Sequence, residues 1–119
     1  MFGFLKNKKK QVSKYLSEWQ IPVDSSFELI VNDDSWQYTN EDGSRMLYFS
    51  ILKVTGDPSI LGNSLQNAEP KVEHTEDAWH LKSTKTAGNI ILVCVISFAS
   101  ANDRQWAEEL FRNITFNGS

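Results

Sequence analysis

The chain has one cysteine, Cys94, so no disulfide can form within it. A missing cysteine framework fits a reducing compartment. No apolar run approaches the ~20 residues that span a bilayer. Catalytic signatures are missing as well. There is no Gly-x-Ser-x-Gly elbow, no Gly-x-x-x-x-Gly-Lys phosphate loop and no Gly-x-Gly-x-x-Gly turn. Basic residues are scarce beyond the start. Residues 1–14 hold five Lys and no acid, while the remaining 105 hold seven basic against fifteen acidic residues, a net of −8. Such a body repels nucleic acid at long range, so nucleic acid is excluded as a partner and a basic protein suits it better.

The first residues, Met1-Phe-Gly-Phe-Leu-Lys-Asn-Lys-Lys-Lys10, place apolar residues before charge, the reverse of a secretory signal. Phe2 in place of Gly excludes myristoylation. The expected location is cytoplasmic. At 119 residues the chain is one domain. We expect a basic flexible tail over 1–10 and a single α+β domain over 11–119. Seven Phe, four Trp and three Tyr let few residues fill each layer of its core.

Apolar residues at Val12, Tyr15, Leu16 and Trp19 follow the spacing of one helix face, ended by Pro22. Phe27 to Val31 reads as a short strand and Asn32-Asp-Asp-Ser35 as a turn. Residues 36–54 read as a hairpin around the tight Asp42-Gly43 pair. Residues 57–72 resist assignment, and long connections often carry function. Residues 78–84 alternate as a strand, which Thr86-Ala-Gly-Asn89 turns into the apolar, β-branched run 90–98. Residues 104–114 form an amphipathic helix with Asn102 or Asp103 as its cap. The expected fold is α+β: one antiparallel sheet of about five or six strands, covered by the N-terminal and C-terminal helices.

This order resembles the PsbP-like superfamily. The carriers are Trp36 opening a strand after an acidic turn, and a last apolar strand leading into Trp106-Ala-Glu-Glu-Leu-Phe-Arg-Asn-Ile-Thr-Phe116. That superfamily includes the Ran-binding Mog proteins, photosystem accessory proteins and small bacterial proteins such as the Eag chaperones. Members end with a helix followed by a Ser-Ile-x-Phe-like strand, to which Asn113-Ile-Thr-Phe116 is similar. They also carry a clear helix in the middle, where this chain has 57–72. The resemblance covers roughly residues 27–116, implies a non-catalytic binding role and transfers no site residues.

Four groups of side chains are candidate sites. Trp36, Tyr38, Tyr48 and Trp79 would mark a protein-binding patch where exposed, since Trp and Tyr dominate hot spots. Phe2, Phe4 and Leu5 beside Lys6, Lys8, Lys9 and Lys10 combine apolar insertion with attraction to anionic lipid, about 1 kcal/mol per basic residue. The plainer reading of that stretch is a frayed, solubilising tail. His74 and His80 flank Glu73, Glu76 and Asp77, close to a metal-ligand spacing. The plainer reading there is an acidic turn with two surface histidines, and no metal or cofactor is expected. Cys94, inside an apolar run, reads as core rather than as a nucleophile.

The expected function is a small cytoplasmic, non-enzymatic protein-binding module of accessory, chaperone-like or immunity type, acting through an acidic surface. The alternatives are a peripheral membrane protein docking by its N-terminus and a metal-dependent enzyme using His74 and His80.

Overall fold

The computed structural model describes residues 14–53 and 70–117. Residues 14–18 are helical. Six strands form the main sheet: β2 (Glu28–Val31), β3 (Ser35–Thr39), β4 (Arg45–Lys53), β5 (Lys71–His74), β6 (Trp79–Ala87) and β7 (Ile90–Phe98). A 3-10 turn (Ala101–Asp103) leads into the C-terminal helix (Arg104–Arg112). Two short strands, β1 (Trp19–Gln20) and β8 (Thr115–Phe116), pair apart from the main sheet.

The strand order is β2-β3-β4-β7-β6-β5, and every neighbouring pair is antiparallel. Two three-stranded meanders therefore meet at β4 and β7, the two central strands. This is the antiparallel α+β class that the hairpin signals predicted. The parity of the strands divides the side chains between faces. Leu47 and Phe49 on β4 share a face with Cys94 and Ile96 on β7, and all four are fully buried. The C-terminal helix adds Ala107, Leu110 and Phe111 to the same core, and the N-terminal region adds Tyr15 and Trp19. Tyr48 and Leu52 alternate onto the opposite face and are exposed.

Three expectations are corrected. The helix ends at residue 18, and Trp19 opens β1, opposite Phe116 with ring centroids 4.8 Å apart. Pairing with β8 occupies the backbone that a further turn of helix would have used. The Asp42-Gly43 pair does not make a two-residue turn. Asn40 N–H donates to the Arg45 carbonyl (3.1 Å), so four residues form the loop, with Gly43 at φ +74°. Only the glycine takes the left-handed position here, whereas the tight turn needs two such residues. Finally, Asp103 sits at the helix N-cap position but makes no cap hydrogen bond, because Arg45 holds its carboxylate. The tail 1–10, the start of the expected helix (11–13) and most of 57–72 (57–69) lie outside the described residues.

The other end of the C-terminal helix is closed by a strand residue. A helix leaves its last four carbonyls without intrahelical partners. Lys85 of β6 sits opposite Leu92 on the core side and is half-buried. Its Nζ donates to the carbonyls of Ile114 (2.8 Å) and Arg112 (3.4 Å) and lies 4.8 Å from the Phe111 ring centroid. A cation is favoured at this negative end of the dipole. Burial pushes the Lys85 ammonium below the usual lysine range, so desolvation of the charge works against that gain and the cap rests on its hydrogen bonds. Lys85→Met is accordingly expected to cost about 1–2 kcal/mol in denaturant unfolding. Lys85→Glu should cost more, because a carboxylate there faces the same carbonyls. Equal stability of the wild type and Lys85→Glu would refute the capping role.

Candidate functional site

The stretch Gln20 to Ser44 contains six acidic residues (Asp24, Glu28, Asp33, Asp34, Glu41 and Asp42) and no Lys, Arg or His. The fold turns this run of sequence into a place. β2 and β3 are the two outermost strands on one side of the sheet, so the acids gather along that edge and its two turns. Asp24 accepts hydrogen bonds from the Ser26 hydroxyl and from the Ser26 N–H (2.8 Å), which hold its carboxyl below the usual range. Hydrogen bonds from Ser44, including its N–H at 3.0 Å, do the same for Asp42. Both groups therefore hold their charge more firmly than a free aspartate.

Arg45 stands where this edge meets the helix. It is committed to Asp103, with Nε to Oδ2 at 3.1 Å and Nη2 to Oδ1 at 2.8 Å. Its guanidinium also lies 4.5 Å from the Trp106 ring centroid. The bond to Asp103 raises the Arg45 pKa, with Asp42 and Asp24 adding to the effect. Among the described residues no ion pair neutralises Glu28, Asp33, Asp34 or Glu41. Apolar side chains break the surface amid these charges: Leu29, Ile30 and Val31 of β2 are 44%, 40% and 37% exposed.

The aromatic candidates do not form one patch. Trp36 is fully buried and stacks near Phe49 at 5.6 Å, which corrects its assignment as a contact residue. Its register opposite Phe49 sends the indole into the core. Tyr38 is half-buried on that same face, edge-on to Phe49. Trp79 is half-buried between His74 (4.1 Å) and Phe98 (6.3 Å). Tyr48 alone is exposed, on the opposite face.

The two histidines do not converge. His74 pairs with Trp79 and His80 with Glu73, so their side chains project from opposite faces. Among the described residues no group of three or more His, Cys, Asp or Glu is arranged around a common point. His80 instead bonds across the sheet. Its Nδ1 lies 2.7 Å from Ser97 Oγ and its Nε2 3.3 Å from Thr75 Oγ1. A nucleophilic serine needs a histidine oriented by a third group, usually a carboxylate, and here a threonine hydroxyl stands in that place. The pair works as a cross-strand hydrogen bond.

Phe2, Phe4, Leu5, Lys6, Lys8, Lys9 and Lys10 lie outside the described residues. No helix among the described residues is long and apolar enough to cross a membrane. Charge summed over the whole acidic body hides the edge in the sequence. A running count of bases from residue 20 to 44 would have found it. No protein-family model matches the chain, and no curated protein matches it.

Proposed function

We propose that this chain is a small, non-enzymatic protein-binding module that receives a basic partner on the acidic β2–β3 edge of its sheet. The observation that carries the reading is that six acids and no base fall on one outer strand pair and the segments that lead into, join and leave it. A surface of one sign speeds encounter with a partner of the other and rejects like-charged competitors. We also take the helices of both chain ends to cover the Leu47–Phe49 face of the sheet. The β2 edge and the Tyr48 face are then what the module offers to a partner. The reading is in keeping with the non-catalytic role that the resemblance to the PsbP-like superfamily implies. It covers an accessory, chaperone-like or immunity-type protein working in the cytoplasm.

The test neutralises the edge without disturbing the core. Glu28→Gln, Asp33→Asn and Asp34→Asn change surface side chains, and together they should move stability by no more than about 1 kcal/mol. The tagged chain should retain a stoichiometric basic protein from its native host at low salt. The triple variant should lose it, as should the wild type at high salt. Retention of the same protein by the triple variant, at either salt, refutes the acidic edge as the binding surface.

A further inference from the structure

Among the described residues, the outer edge of β2 carries a row of unpaired backbone hydrogen-bonding groups. In an antiparallel ladder the backbone groups of successive residues point to alternate sides. Asn32 N–H donates to the Ser35 carbonyl (2.8 Å), toward β3. Ile30 and Glu28 follow with the same parity. The N–H and C=O groups of Leu29 and Val31 therefore point away from the sheet, and β2 ends the strand order.

Edge strands are normally blunted by charge, proline or a bulge. The opposite edge follows that rule. β5 carries Lys71, Glu73 and His74, with Glu73 paired to Lys82 at 2.9 Å. β2 does not. Leu29 and Val31 lie on one face of it and Ile30 on the other, all exposed. An apolar edge with free backbone groups is a template for an added strand.

Charge selects the occupant. Self-pairing of two β2 strands would bring Asp24, Glu28, Asp33 and Asp34 of both copies to one seam with no base between Gln20 and Ser44. A strand flanked by lysine or arginine meets the opposite sign. We propose that the outer edge of β2 is a strand-addition site for an extended segment of a basic partner protein, with alternating apolar residues between basic flanks. The proposal rests on the protein-binding reading above and deepens it.

The experiment uses the full chain, labelled with nitrogen-15. It is titrated with a synthetic peptide of alternating valine and threonine between paired lysines. Amide exchange at Leu29 and Val31 should slow on binding, while Val72 and His74 on the opposite edge stay unchanged. Val31→Pro removes one outward donor and leaves the β3 pairing in place, as proline is tolerated on an edge facing solvent. It should weaken binding by about tenfold. The same peptide with glutamates in place of lysines should not bind.

Binding that disappears in the triple neutral variant, yet leaves Leu29 and Val31 unprotected, overturns strand addition and keeps the acidic-edge reading. Binding indifferent to the neutral variant overturns both. Protection of Leu29 and Val31 that grows with protein concentration, without peptide, assigns the edge to a second copy and overturns the proposal. The protection measurement on the wild type decides the matter even if Val31→Pro fails to fold.

Discussion

Trp36→Ala is expected to lower the stability of the domain by about 4 kcal/mol, and Trp36→Phe by only about 1 kcal/mol. The indole is fully buried, and its register partner Phe49, with ring centroid 5.6 Å away, is fully buried too. Alanine leaves a ring-sized void between β3 and the core that neighbouring side chains can only partly fill. Phenylalanine keeps most of the apolar contact. It also removes a liability, because the Trp36 Nε1 is buried with no hydrogen-bond partner among the described residues. A buried unpaired donor costs about 1–3 kcal/mol, so its removal offsets much of the lost ring volume. Urea unfolding of the two variants beside the wild type measures both effects. If Trp36 were a surface contact, Trp36→Ala would shift stability by no more than about 0.5 kcal/mol, and that result would sink the burial argument.

The second large effect is an alkaline loss of stability governed by Cys94. Burial pushes its thiol up from its ordinary 9.0 to about 12, with the Lys85 ammonium opposing only in part. The native state therefore keeps a proton that the unfolded chain releases above pH 9.0. Stability is fully present below that value and falls as pH rises toward the folded-state pKa, by about 1.4 kcal/mol per pH unit. The loss should reach about 3 kcal/mol near pH ~11. Tyr38, raised by its own burial, acts in the same direction above its ordinary range. Lys85 acts in the opposite direction, since its lowered pKa lets the native state shed a proton first.

Cys94→Ala deletes the thiol. It should cost about 1 kcal/mol at neutral pH and flatten the alkaline decline. Denaturant midpoints of both proteins at neutral and alkaline pH make the comparison. An identical alkaline decline in the variant would show that another group governs it. The same burial predicts that a thiol reagent modifies Cys94 at the rate of unfolding and not faster.

Legibility varied by element for physical reasons. The strand read at 90–98 is found at Ile90–Phe98, because a continuous β-branched run bounded by a turn has few alternatives. The C-terminal helix read over 104–114 is found at Arg104–Arg112, with Ala107, Leu110 and Phe111 buried as the spacing implies, while Trp106, on the same reading a core residue, is half-buried. Gly88, at φ +62°, sits at the predicted turn into β7. The apolar spacing by itself extends the first helix to Trp19, since a two-residue strand pairing with a segment nearly a hundred residues away leaves no local signal. Acids and apolar residues in β2 were each visible. Their value as a site was not, because exposure on an edge is a property of strand order.

The residue pattern by itself determined the antiparallel α+β class, the central strand and the acid-only character of residues 20–44, since periodicity and charge are local quantities. Only the tertiary structure decided which face each aromatic took, that His74 and His80 diverge, that Lys85 closes a helix end and that β2 became an open edge. Each of these depends on register and strand order, which are fixed by contacts between distant parts of the chain.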